Sequence, residues 1–316
     1  MRRLLALVGL VALSIGLFAA VFSVVHRPLV VGEIARQLDY KLGYARTLSS
    51  PKIVVLAGSN GRYSHRCAEL SAALGRPCVN ASIGVGIGLD FQLDQWLPLL
   101  RAGDIVYMPL EYDQYGYSRA EMQGGLQNAL LVHDRRDYLW EQGTGRVLDA
   151  YGSFDLSFLV QGLAEMALRH AGFRRRSSLE TLTPQGDERG HTAVAAAAYA
   201  EFLRAGAFGR TAIPAASASR EVLERFLGEA HRRGIVVVGG LPTIPDDVAL
   251  AEDTVAAVRA VFEERGQRFL ALDNRSRYPR SCFFDTLYHL NEECQCAHSR
   301  AVGRALALLN GPVPMD

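Results

Sequence analysis

Neither sign of charge dominates this chain. Lys and Arg together number 34 and Asp and Glu 33 among 316 residues, a formal net charge of +1. A surface built to follow nucleic-acid phosphates leaves a basic excess, so nucleic acid is excluded as a main partner. Low-complexity tracts and internal repeats are also absent, which argues for an ordinary globular chain. The phosphate-loop pattern Gly-x-x-x-x-Gly-Lys-Ser/Thr does not occur. The glycine-rich stretch at residues 84–88 does not continue as Gly-x-Gly-x-x-Gly, so a nucleotide site is not expected. Cysteines are few: Cys67, Cys78, Cys282, Cys294 and Cys296. The odd count leaves at least one thiol unpaired in the monomer. Cys294 and Cys296 are not at metal-site spacing, and neither a metal nor another cofactor is expected. A disulfide from Cys282 to Cys294 or Cys296 is the most local pairing, with buried unpaired thiols as the alternative.

One long hydrophobic run is present. Arg2 and Arg3 precede an uncharged stretch over residues 4–25, followed by His26 and Arg27. About 20 apolar residues span a bilayer as a helix, whereas the core of a cleavable signal is about 7–15 long. We read residues 1–27 as an uncleaved membrane anchor, with cleavage near Ala19-Ala20 as the alternative. The short tail favours an N-terminus inside and the remaining chain outside the cytoplasm, which is the periplasm beyond an inner membrane if the cell is Gram-negative. Residues 28–50 are read as a linker.

Beyond the linker, short β-branched apolar runs alternate with amphipathic segments. Strands are expected at 52–57, 78–82, 105–110, 235–238 and 268–272. Helices are expected at 65–74, 89–100, 220–233, 247–265 and from about 292 to 309. This alternation predicts an α/β fold, a three-layer α/β/α sandwich around a parallel sheet of about five strands. Residues 51–316 form this domain, interrupted by a mostly helical insertion at about 113–210. Within the insertion, residues 153–170 have an apolar face and precede Arg174–Arg176. We read this helix as a lid packed on the core, with a membrane-surface helix as the alternative. The Ala-rich residues 191–204 are also helical.

In parallel sheets, ligands gather beyond the carboxyl ends of the strands. Ser59, Gly84, Glu111 and the segment carrying Asp285 all follow expected strands. Ser59 sits between Gly58 and Gly61 at a tight turn, where backbone N–H groups can face a developing oxyanion. Imidazole exchanges protons near neutrality, so His289 is the natural general base, and Asp285 could orient it. The bland alternative makes Ser59 a loop starter and His289 and Asp285 ordinary turn residues. Asn291 is placed to cap the last helix.

Gly58-Ser59-Asn60 after the first strand, Asn80-x-Ser82-x-Gly84 after the second, and an Asp/His pair with His289-Leu290-Asn291 before the last helix together resemble the SGNH (GDSL-like) hydrolase superfamily. The likeness is greatest to its membrane-anchored, extracytoplasmic branch associated with polysaccharide O-acylation, and covers the sheet domain but not the insertion. It implies Ser59 as nucleophile, His289 as base, Asp285 as its partner, and Ser59 and Gly84 as oxyanion donors. Two departures stand out. Where the family carries Asn after the third strand, this chain has Glu111-Tyr112; an ionised carboxylate cannot donate. Asn60 is then a candidate third donor, and Glu111 and Tyr112 are candidate substrate contacts. The family's D-x-x-H spacing puts Thr286 at the Asp position, so either the loop is one residue longer or Asp285 is not the partner. The resemblance implies a serine esterase or O-acyltransferase acting on an extracytoplasmic glycan, with a membrane acyl-donor protein as partner if it is a transferase. The competing class is a non-catalytic glycan-binding or assembly protein.

Overall fold

The computed structural model describes residues 1–24, 29–152, 156–173, 177–209 and 211–310. The chain divides into two compact units: a sheet unit of Gln37–Met122 with Ser178–Asp316, and an anchor unit, named for the membrane anchor expected at its N-terminus, of Met1–Arg36 with Gln123–Ser177.

Helices α1 (Arg2–Val24) and α2 (Leu29–Thr47) open the chain. The sheet unit continues with β1 (Ile53–Val55), α3 (Ser59–Ser64), α4 (Cys67–Leu74), β2 (Cys78–Asn80), α5 (Leu89–Trp96), β3 (Ile105–Met108) and α6 (Arg119–Met122). The anchor unit adds α7 (Gly125–Asp134), α8 (Arg136–Glu141), α9 (Thr144–Gly152) and α10 (Leu156–His170). The sheet unit then resumes with α11 (Ala193–Ala196), α12 (Ala200–Ala205), α13 (Ala218–Arg232), β4 (Val236–Gly240), β5 (Ile244–Pro245), α14 (Glu252–Glu263), β6 (Arg268–Leu270), β7 (Arg277–Tyr278) and α15 (Glu292–Asn310).

Five strands form one parallel sheet in the order β2-β1-β3-β4-β6. These are the five expected runs. β1, β3 and β4, in the middle of the sheet, are rich in Val and Ile, the composition of strands buried on both faces, while the edge strands β2 (Cys-Val-Asn) and β6 (Arg-Phe-Leu) are mixed. Ile53, Val55, Ile105, Tyr107 and Val238 line one face and pack with Cys67 and Leu70 of α4 and Val302 and Leu306 of α15. On the other face α14 comes so close that a Cβ on Gly239 would lie 2.2 Å from the Phe262 ring. The α/β/α sandwich is thus formed. The small parallel pair β5-β7 has no counterpart among the expected strands.

Two boundaries are corrected. Residues 28–50 are not a linker, because α2 occupies most of them and buries Val31, Ala35, Leu38, Leu42 and Ala45 along one stripe. The predicted insertion at 113–210 also divides. Residues 178–191 belong to the sheet unit, where Gln185 O accepts from Asn80 N–H at 2.9 Å beside β2. Buried Asp187 accepts from Thr183 Oγ1 (2.9 Å), Cys67 N–H (3.1 Å) and Asn80 Nδ2 (3.2 Å). A lone carboxylate that collects distant donors has no periodicity to betray it.

Two disulfides close, Cys67–Cys78 and Cys282–Cys294, and Cys296 is free. The local pairing to Cys294 is the one realised. The first bridge fastens α4 to β2. In α10, Val160, Leu163, Met166 and Leu168 are exposed rather than packed on a core. The residues flanking the anchor at His26 and Arg27, and Arg174–Arg176, lie outside the described residues.

Candidate active site

Ser59 follows β1 directly and is the first residue of the short helix α3, so the turn expected there is tighter and ends in helix. Two glycines make this geometry reachable. A Cβ on Gly58 would lie 2.6 Å from Val85 Cγ1 and 2.7 Å from Glu111 Oε1, so the second and third strand ends crowd this backbone. A Cβ on Gly61 would lie 2.1 Å from Ser82 Oγ. Gly61→Ala should therefore destabilise the sheet unit by about 1–3 kcal/mol, as overpacked cores do, and chemical denaturation would measure it.

Ser82 braces the turn. Its Oγ accepts from Ala57 N–H (3.0 Å) and donates to Val55 O (3.2 Å), and its own N–H donates to Asn80 Oδ1 (3.1 Å). Lys41, wholly buried, donates to Ser82 O, and burial with neighbouring Arg62 pulls its ammonium down to about 7. Among the described residues, the N–H groups of Ser59 and Gly84 donate to no other group of the protein. Free N–H groups on two turns held together at Gly58 are what an oxyanion site requires.

The opposing loop carries His289 and Asp285. His289 Nδ1 lies 2.6 Å from Asp285 Oδ1. The spacing that put Asp285 one residue from the expected position is resolved by the loop's own bonds. Phe284 N–H donates to His289 O (2.8 Å) and His289 N–H to Thr286 O (3.3 Å), while Thr286 Oγ1 accepts from Tyr288 N–H (3.3 Å). Thr286 is spent on the turn and Asp285 faces the ring. Burial opposes ionisation of Asp285, but the hydrogen bond and charge of His289, helped by Arg62, hold its carboxyl below the ordinary range. Asn291 caps α15, accepting from Cys294 N–H at 3.0 Å.

Three residues tie these elements together, and sequence reasoning missed all three. Ser64, at the end of α3, donates to Tyr288 O (3.1 Å) and accepts from Leu290 N–H (3.4 Å), so it grips the backbone on both sides of His289. Buried Thr243 shares a 2.7 Å hydroxyl contact with Ser64 and also donates to Tyr288 O. Tyr63 stacks on the His289 ring at 4.2 Å and 9°. On Tyr63 rests the Arg62 guanidinium, 4.7 Å from the ring centroid and paired with Glu188 at 3.0 Å. Tyr63 lies four residues beyond Ser59, and no sequence pattern singles it out.

The remaining expected residues fall elsewhere. Ser59 Oγ donates to Glu111 Oε1 at 3.3 Å and makes no hydrogen bond with His289. Asn60 N–H donates to the same Glu111 oxygen at 3.1 Å, and Asn60 Nδ2 donates to Pro109 O at 2.7 Å. Asn60 is completely buried, with its side-chain amide engaged by Pro109 O. Burial pushes the Glu111 carboxyl up, against the pull of His289, Asn60 N–H and the Ser59 hydroxyl. Glu111 thus touches the Ser59 hydroxyl expected to be the nucleophile. Tyr112, the other expected substrate contact, is 1% exposed. Among the described residues no group of three or more His, Cys, Asp or Glu is arranged to hold a metal ion.

No protein-family model matches the chain, and no curated protein matches it. It is similar to a solved structure, protein YXIM from Bacillus subtilis, at 11% identity and a TM-score of 0.41. The likeness covers 84% of this chain but 58% of that one, so this chain spans little more than half of its neighbour's length.

Proposed function

We propose that this protein is a membrane-tethered serine esterase or O-acyltransferase of the SGNH kind, acting on an extracytoplasmic glycan at the inner membrane. One observation carries the reading: the 2.6 Å His289–Asp285 pair is fastened through Ser64 to the short helix that begins with Ser59. In the reaction, the Ser59 hydroxyl turns from Glu111 to His289 and attacks an acyl carbonyl. His289 takes the proton, and the oxyanion meets the N–H groups of Ser59 and Gly84. The leaving alcohol departs with that proton, leaving an acyl-enzyme. Water, or a sugar hydroxyl, then gives its proton to His289 and attacks the acyl carbon; the Ser59–acyl bond breaks, and His289 returns that proton to Ser59 Oγ. A transferase would draw its acyl group from a partner membrane protein. Supporting the location are the apolar helix over Arg2–Ala20, with mean hydropathy 2.2, and two disulfides, which persist where thiols are oxidised.

A second reading, a non-catalytic glycan-binding or assembly protein, is favoured by the Ser59–Glu111 bond and by the burial of Asn60. A fluorophosphonate probe separates the two. The enzyme reading expects labelling of the wild type and of Glu111→Gln, and none of Ser59→Ala. Unlabelled wild type, or equal labelling of Ser59→Ala, refutes it.

A further inference from the structure

The anchor unit carries a surface that the proposed reaction leaves unused. Along α10, Ser157, Gln161, Glu165 and Arg169 recur every fourth position and so share one face. Val160, Leu163 and Met166 occupy the opposite side. Such a stripe ordinarily faces a core. Here Val160 is 59%, Leu163 46% and Met166 41% exposed, and among the helix's described residues only Gly162 is buried. Trp140, Leu148 and Phe173 are likewise uncovered. Among the described residues, 123–177 thus expose seven large apolar side chains, against six in the far longer sheet unit. Apolar surface gathered in this way marks an interaction site.

Three observations identify a lipid surface as its occupant. First, the same compact unit contains α1, whose span Arg2–Ala20 is long and apolar enough to cross a bilayer and has none of its surface buried. Second, Ser177 Oγ donates to Glu33 Oε2 at 3.5 Å. Glu33 lies nine residues after the end of α1 and four into α2. The chain between them can extend no more than about 25 Å, so the exit of the α10 segment is held near the point where the chain would leave the bilayer. Third, α10 ends in Arg169 and His170, and the sequence adds arginines at 174, 175 and 176. An apolar stripe flanked by basic residues suits acyl chains beside anionic headgroups, and Trp favours that boundary.

We infer that α10 lies in the plane of an anionic membrane surface, with Leu163 and its neighbours in the acyl boundary and the Ser157–Arg169 face toward water. This rests on the reading of α1 as a membrane anchor. The protein would then be held at the bilayer by two segments, one crossing it and one lying on it.

The test uses the full chain with Cys296→Ser, which leaves both disulfides intact. Single nitroxide labels are placed by Leu163→Cys, Val160→Cys, Gln161→Cys or Leu13→Cys, and the protein is reconstituted in bilayers containing phosphatidylglycerol. Power saturation compares collision with oxygen, which concentrates in lipid, and with an aqueous nickel chelate. The expected result is a several-fold higher oxygen-to-nickel ratio at 163 and 160 than at 161, with the highest at 13. Equal ratios at 160, 161 and 163 overturn the inference, as does a label at 163 closed to both reagents, which means a protein covers the face. An aqueous label at 13 overturns the anchor and this inference together. An aqueous label at 163 beside a lipid-embedded 13 overturns this inference alone.

Discussion

His289→Ala should lower the turnover of an activated aryl ester by roughly 10³–10⁴-fold with KM little changed, because a base acts on the transition state and hardly on ground-state binding. Asp285→Asn should cost about 10²–10⁴-fold. Asp285 receives the Nδ1 side of the ring at 2.6 Å, and an amide there can hold the loop but cannot stabilise the imidazolium formed during attack. Both variants should retain the wild-type circular dichroism and melting temperature within a few degrees, since the ring is also held by Tyr63 and the flanking backbone by Ser64. The pH dependence has a definite sign. Asp285 is held below the ordinary carboxylate range, so its ionised support is present at neutral pH and is lost as the pH falls through its depressed value. Steady-state kinetics on the two variants would decide the matter. A His289→Ala enzyme with undiminished turnover would remove the imidazole from the mechanism.

The second large effect concerns stability in acid. Lowering the pH from about 7 to about 4.5 should remove several kcal/mol of folding free energy, read as a falling urea midpoint. Burial pulls His65 down to about 3 and His298 well below its ordinary value, and pulls His191 down to about 4 against the favourable charge of Glu292. His65 and His298 touch through their Nε2 atoms at 3.2 Å, and His298 Nδ1 lies 2.8 Å from the Tyr278 hydroxyl. The unfolded chain takes up protons near the ordinary imidazole value of about 6.5, where the folded chain refuses them. Stability is therefore complete above that value and is lost as the pH drops toward the depressed folded values. Between about pH 6.5 and 4.5 one such buried ring loses on the order of 2–3 kcal/mol. Asp187 and Glu111, raised by burial, act in the opposite sense between their ordinary and raised values and so offset part of the histidine effect. His65→Leu should flatten the slope whatever it does to the midpoint at neutral pH. A wild-type midpoint that does not move between the two pH values would refute the argument.

The sheet can be read in advance because its central strands β1, β3 and β4 are compact Val/Ile runs and all five are punctuated by Pro or Gly, and buried parallel strands need little else. Asn291 is equally legible, since a cap acts on its own next turn. α2 is hidden because its apolar stripe is interleaved with Arg36, Gln37, Asp39 and Lys41, and Gln37 and Lys41 are themselves buried. In the candidate site, Ser59, Gly84, His289 and Asp285 can be named from type and order. Ser64, Thr243 and Tyr63 cannot, because each reaches the His289 loop through partners 45 to 226 residues away. The burial of Asn60 and Tyr112 is hidden for a related reason. Adjacency to a site in sequence says nothing about which way a side chain turns, and both turn inward.

The Cys282–Cys294 bridge has a consequence for how the protein must be made. It encloses the whole loop that carries Asp285 and His289 and welds that loop to the first turns of α15. Cys296, two residues on, offers a competing thiol. Chain synthesised in a reducing cytosol would leave the ribosome with this loop unclosed, and oxidised later without an isomerase it would divide between two pairings. Preparations from different compartments would then differ in the fraction of molecules with a finished loop while sharing the same sheet, mass and helix content. Specific activity, rather than yield or solubility, becomes the measure of correct production.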